Sequence, residues 1–280
     1  MRVSIGDVRL FFDVEGAKLR PDGVKMREVP TVVLLHGGPG FDHSNFKPDF
    51  SRLAETAQVI YLDHRGNGRS DHGDPAKWNL AQWGDDVRAF CAALEIEHPI
   101  VLGVSFGGMV AMSYATRHPE HPGKLVLSST AAVSRQDRSL EMFEKLGGPD
   151  VREVARRFFD NPGPEAMADY QKKCLPLYNR TPSPPEFIQR AVMNPKLMAE
   201  FFLHESHTFN FLPDLGKIKC PTLITAGELD PILPVADSKD IAAAMTPGMA
   251  RLEVFENAGH GVHRDQPDRF FKIFNEFIEA

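Results

Sequence analysis

Gly103-Val104-Ser105-Phe106-Gly107, with Gly108 behind it, decides how this chain is read. An apolar run, Pro99-Ile100-Val101-Leu102, leads into it, and Met109-Val110-Ala111-Met112-Ser113-Tyr114-Ala115 continues as a helix. Gly-x-Ser-x-Gly between a strand and a helix is the pattern of a nucleophile elbow. The turn is tight enough that side chains at positions 103 and 107 would strike neighbouring backbone. The serine between them is then strained, with its Oγ projecting from the strand end. A glycine-rich turn with an incidental serine would read the same way, so the motif alone does not decide. A serine hydroxyl is a weak nucleophile, and the reading requires a base, and a group to orient that base, elsewhere in the chain.

Outward from the elbow, continuous aliphatic runs recur. They are Thr31-Val32-Val33-Leu34-Leu35, Gln58-Val59-Ile60-Tyr61-Leu62, Ile100-Val101-Leu102 and Lys124-Leu125-Val126-Leu127-Ser128, and two further strands are read late in the chain, at Thr222-Leu223-Ile224-Thr225 and Arg251-Leu252-Glu253-Val254-Phe255. Runs without polar alternation suit strands buried on both faces, as in a parallel sheet. The first sixteen residues alternate around Gly6-Asp7 and read as an antiparallel hairpin, followed by a polar loop near Pro21-Asp22-Gly23. Leu80, Trp83, Val87, Phe90, Cys91 and Leu94 recur at helical spacing behind Asn79, a helix N-cap candidate. A final amphipathic helix begins near Pro267-Asp268. The alternation predicts a mostly parallel, doubly wound α/β sheet. Strand-like runs vanish over residues 131–217, where helical pieces are broken by Gly147-Gly148-Pro149, Asn161-Pro162-Gly163-Pro164 and Thr181-Pro182-Ser183-Pro184-Pro185. That stretch reads as a helical cap inserted into a core of residues 1–130 and 218–280.

Open α/β sheets place their sites at the carboxyl ends of strands. One end carries His36-Gly37-Gly38-Pro39-Gly40, a second Asp63-His64-Arg65-Gly66-Asn67-Gly68-Arg69-Ser70, and a third Ser105. Two more carry Ala226-Gly227-Glu228-Leu229-Asp230-Pro231 and Asn257-Ala258-Gly259-His260-Gly261. His260 is the candidate base for Ser105, and Asp230 the candidate to orient it. Their rivals are His263 as base and Asp237 as acid. The backbone N–H groups of Phe106 and Gly38 are the candidate donors to a tetrahedral oxyanion. Asp63 to Ser70 reads as an ion-paired supporting turn. No Gly-Lys-Ser/Thr follows the glycine-rich loops, and Asp71 stands where a dinucleotide fingerprint needs glycine, so no nucleotide cofactor is expected.

Bulk properties narrow the field. With 42% hydrophobic and 25% charged residues the chain has an ordinary globular balance. A net charge of −6 with dispersed basic residues argues against nucleic acid as partner. No apolar run approaches the ~18 residues of a membrane span, and the N-terminus lacks a signal-peptide core. Cys91, Cys174 and Cys220 suit neither a disulfide framework nor a metal site, and the expectation is a cytoplasmic protein with reduced thiols, no metal and no cofactor.

The loop motifs His36–Gly40 and Asp63–Ser70, together with Gly103–Gly108, resemble those of the proline iminopeptidase branch of the α/β-hydrolases, across nearly all of the sheet-forming chain. The order Ser105, Asp230, His260 is also that of the α/β-hydrolase fold. The resemblance implies that these three form a catalytic triad, that Gly38 and Phe106 form the oxyanion hole, and that the cap shapes a pocket for a small molecule or short peptide. It also implies cap glutamates that hold a substrate amine, for which Glu200 and Glu205 are the candidates, and it makes Phe41 a candidate substrate contact. Some iminopeptidases carry a further glutamate after the catalytic aspartate, where this chain has Pro231. Proteins with the same loops also include esterases and lactonases, so a carboxylesterase or lactonase is the alternative. From another class, a ligand-binding or signalling protein on a hydrolase scaffold fits the motifs. Serine at 105 argues against the aspartate-dependent epoxide hydrolases and dehalogenases. Phe201, Phe202, Phe209, Phe211 and Leu212 are expected to be mostly cap core.

Overall fold

Residues that must be covered on both faces, and residues that need cover on only one, sort this chain into its layers. A computed structural model describes residues 1–280. The strands β1 (Arg2–Ser4) and β2 (Arg9–Glu15) form the antiparallel hairpin that the alternation predicts. The strands β3 (Leu19–Asp22) and β4 (Lys25–Glu28) form a separate two-stranded ladder around Pro21-Asp22-Gly23, where the sequence reads as a loop. Both are largely exposed, so neither carries the apolar alternation that announces a strand.

The chain then lays down β5 (Thr31–Leu35), β6 (Gln58–Leu62), α1 (Leu80–Ala93), β7 (Ile100–Val104), α2 (Phe106–Arg117) and β8 (Lys124–Ser128). Asn79 caps α1, its side chain accepting the Gln82 N–H at 2.9 Å. Five helices follow before the next strand: α3 (Gln136–Gly147), α4 (Pro149–Asp160), α5 (Pro164–Lys173), α6 (Glu186–Arg190) and α7 (Pro195–Leu203). The chain closes with β9 (Thr222–Gly227), α8 (Val235–Ala244), β10 (Ala250–Phe255), α9 (Val262–Asp265) and α10 (Pro267–Glu279). One eight-stranded sheet results, ordered β1-β2-β6-β5-β7-β8-β9-β10 and parallel from β6 to β10. Sequence order reverses between β6, β5 and β7, so the carboxyl ends of β5 and β7 flank the crevice where such sheets bind ligands.

All five residues of β5 and of β7 are buried, and their alternate side chains enter two different cores. Val33, Leu35 and Val101 pack with Trp83, Val87 and Phe90 of α1 and with Met109, Val110 and Tyr114 of α2. Val32, Leu34 and Leu102 pack on the other face with Phe50 and with Phe270, Phe271 and Phe274 of α10. Between β8 and β9 the helices keep a small core of their own, built from Phe143, Phe158, Phe159 and Tyr170. No helix of the chain is long and apolar enough to cross a membrane.

Candidate active site

Ser105 follows directly on β7, and Phe106 begins α2. The serine sits at φ 57° and ψ −121°, a strained conformation for a residue with a side chain. Two glycines make the turn possible. A Cβ on Gly103 would strike the Gly107 carbonyl, and a Cβ on Gly107 would strike the carbonyl of Leu35 on the neighbouring strand. The Ser105 N–H is tied to the Ser128 carbonyl at 2.9 Å, and its carbonyl accepts the Thr130 hydroxyl at 2.8 Å. Strain is thereby held in place by β8 on one side and β5 on the other.

Asp230 lies just beyond β9 and is fully buried. One carboxylate oxygen accepts the N–H groups of Ile232 and Leu233 at 2.9 and 3.0 Å, and the other meets His260 Nδ1 at 2.8 Å. A carboxylate at Nδ1 selects the tautomer with the proton there, which leaves Nε2 as a basic lone pair. The His260 loop is anchored by a segment that pattern reading passed over. His260 N–H donates to the Tyr178 carbonyl at 2.6 Å, Gly261 N–H donates to the Asn179 side chain at 2.7 Å, and the Tyr178 ring meets the imidazole edge-to-face at 5.3 Å. Gly259 is required here because a Cβ would strike the Tyr178 carbonyl. Nothing in the residue types of Tyr178-Asn179 marks them for this role.

Ser105 and His260 open onto one cavity of about 770 Å³ between the sheet and the helices α4 to α7. The Ser105 side chain makes no capping hydrogen bond to the start of α2. Gly38, Phe41 and Phe106 line the same cavity. The backbone N–H groups of Gly38 and Phe106 have no internal acceptor, while Gly37 packs so closely that a Cβ there would lie 3.4 Å from the Ser105 Cβ. The loop carrying Gly38 is fastened by the one that reads as a supporting turn: Asn67 Oδ1 accepts Gly40 N–H at 2.7 Å. Asp63 accepts the N–H groups of His43 and Arg69, and the buried Arg65 is held in a fork by Asp86 and Asp7.

The rival residues are occupied otherwise. His263 is buried between the Phe50 and Phe270 rings at 4.9 and 5.9 Å, and burial pushes its pKa down to about 3, which makes it a poor proton acceptor. Asp237 pairs with Arg138 at 2.7 Å, and burial outweighs that partner to push its pKa up to about 6. The cap glutamates are placed away from the cavity, contrary to what the resemblance implies for them. Glu205 accepts the Leu80 N–H at 2.6 Å and so serves the start of α1, with burial raising its pKa. Glu200 is exposed and lies 3.4 Å from His204. The aromatic residues divide differently from the expectation: Phe201, Phe202 and Phe209 line the cavity while also packing on the core, and Phe211 and Leu212 only pack. Phe158, Phe159 and Tyr170, read from sequence only as parts of cap helices, line it as well.

The chain belongs to the family described as alpha/beta hydrolase fold, which matches residues 30–267. It is a hydrolase, and its sequence is similar to those of proline iminopeptidases. It is 28% identical over 285 residues to proline iminopeptidase PfmaB of Pestalotiopsis fici, covering 96% of this chain and 99% of the relative. Among solved structures, proline iminopeptidase of Mycobacterium smegmatis superposes with a TM-score of 0.77 at 23% identity, covering 100% of this chain and 97% of the other. An esterase of Exiguobacterium antarcticum superposes with a TM-score of 0.73 at 20% identity, covering 100% and 99%.

Proposed function

We propose that the protein is a cofactor-independent serine hydrolase that cleaves a small ester or lactone through an acyl-enzyme on Ser105. His260 Nε2 takes the Ser105 proton as Oγ attacks the carbonyl carbon, and Asp230 stabilises the imidazolium that forms. The oxyanion is met by the N–H groups of Phe106 and Gly38. The leaving alkoxide takes the proton from His260, and water then releases the acyl group by the same steps in reverse. The observation that carries this reading is the Asp230–His260 hydrogen bond at 2.8 Å, with His260 lining the same cavity as a serine held at φ 57°. Serine–histidine contacts are often long in unliganded enzymes and tighten once substrate enters.

The placement of Glu200 and Glu205 supports an ester or lactone over a peptide with a free N-terminal amine. The one carboxylate lining the cavity, Asp237, is already neutralised by Arg138. A fluorophosphonate probe and a short-chain chromogenic ester test the proposal: both react with the wild type and neither with Ser105→Ala. A wild type that is neither labelled nor active would favour a binding protein on a hydrolase scaffold. Prolyl-p-nitroanilide compared with its N-acetylated form separates the peptidase reading, which requires the free amine to be preferred.

A further inference from the structure

The cavity is unbalanced in charge. Arg135, Arg180 and Arg264 line it, against the single carboxylate of Asp237. Arg264 is the built member of this set. It stands on α9, four residues after His260, and its guanidinium lies over the Phe187 ring at 4.5 Å. One terminal nitrogen, Nη1, donates to the Ser183 hydroxyl at 2.5 Å. Nε and Nη2 make no hydrogen bond to the protein, and no carboxylate comes within ion-pair distance of any of its nitrogens. The nearest acidic groups are Asp49 and Asp265. Both Asp265 oxygens are spent on backbone, accepting the N–H groups of Gly259, Arg180 and Thr181. Arg190, which also flanks Phe187 at 5.7 Å, adds positive charge instead of cancelling it.

A half-buried guanidinium without a carboxylate is costly, because its charge has lost water without gaining a counter-ion. Burial accordingly lowers the Arg264 pKa. Ring stacking and the Ser183 contact fix the plane of the group, so the free Nε–Nη2 edge presents two parallel donors. That edge matches the two oxygens of a carboxylate.

We propose that Arg264, braced by Phe187 and Ser183, is the binding site for a carboxylate carried by the substrate at a distance from its scissile carbonyl, so that the natural substrate is an anionic ester or lactone. The inference rests on the serine-hydrolase reading above. Ser105 and Arg264 line one cavity, so a substrate of suitable length spans from the reacting carbon to the guanidinium.

The test uses monomethyl esters of linear dicarboxylic acids of rising chain length, each matched with the methyl ester of the monocarboxylic acid of equal length. Wild-type protein is expected to prefer the anionic member in kcat/KM, with an optimum at one chain length and a preference that falls as salt is raised. Arg264→Met should lower that preference about 10- to 100-fold, the range set by loss of a hydrogen bond to a charged group. Arg264→Lys should restore part of it, through charge without the fork. Wild-type protein that treats the two series alike overturns the inference, whether or not the variants fold. A drop on both series by the same factor in a folded Arg264→Met also overturns it. Hydrolysis of the neutral esters that disappears in Ser105→Ala keeps the hydrolase reading standing in either case. Calorimetric titration of Ser105→Ala with the anionic monoester reads the site without turnover: saturable binding lost in the Ser105→Ala, Arg264→Met double variant supports it, and no binding opposes it.

Discussion

At the residue scale, neighbours hold the members of the site through local constraints. Ser105 is strained because Gly103 and Gly107 let the strand turn directly into α2. His260 is held by Asp230 at Nδ1 and by Tyr178 at its backbone. The carboxylate therefore does two jobs, fixing the tautomer and stabilising the protonated ring. Asp230→Asn removes the charge while keeping the shape, and an amide facing Nδ1 by its N–H₂ group favours the wrong tautomer. We expect kcat on a short-chain ester to fall by about 10⁴ with little change in thermal stability, the size of the effect in comparable triads. Retention of more than a tenth of the wild-type kcat would show that Asp230 does not orient the base.

At the element scale, the loop that carries Gly38 has no regular structure of its own and depends on the turn after β6. Asn67 is fully buried, accepts Gly40 N–H and donates to the Arg65 carbonyl at 2.8 Å. Asn67→Ala leaves a buried donor without a partner, at a cost of about 1–3 kcal/mol. It should also lower kcat more than it raises KM, because the Gly38 N–H is needed most in the transition state; urea denaturation and ester kinetics on one preparation check both. Unchanged kcat would place the turn outside the catalytic apparatus. Elements of this kind divide what was legible from what was not. Strands β5, β6 and β8 could be bounded from sequence because burial on both faces leaves uninterrupted aliphatic runs. Ser105, Asp230 and His260 stood out as candidates because each follows a strand that the sequence pattern marks. The exposed β3–β4 ladder was not, since no apolar face marks it. The Tyr178–Asn179 anchor and the placement of Glu205 were also hidden: each depends on long-range packing that local pattern does not encode.

At the scale of the whole molecule, the cost of assembling this site is buried histidine. His36, His64 and His263 are all buried, and desolvation lowers the pKa of each. The unfolded chain, with ordinary imidazoles, binds more protons than the folded one at mildly acidic pH. Stability is therefore fully present above pH about 6.5, the ordinary histidine value, and is lost as pH falls toward the folded-state values. For His263 the window runs down to about 3. Asp237 acts in the opposite sense between its ordinary value and about 6, because its folded form holds the proton more tightly. With His36, His64, His121 and His263 set against Asp237 and Glu205, the net slope should favour unfolding as pH falls from 6.5 to 5, at up to about 1.4 kcal/mol per pH unit for each histidine that titrates only when unfolded. His263 sits between Phe50 and Phe270 with its Nδ1 unpartnered, so His263→Leu removes a titrating group without stripping a hydrogen bond from that nitrogen. Urea denaturation at a series of pH values from 7 to 5 should show a shallower loss of stability in His263→Leu than in the wild type. Parallel slopes for the two proteins would mean that His263 titrates alike in both states and that its burial does not govern the acid limb.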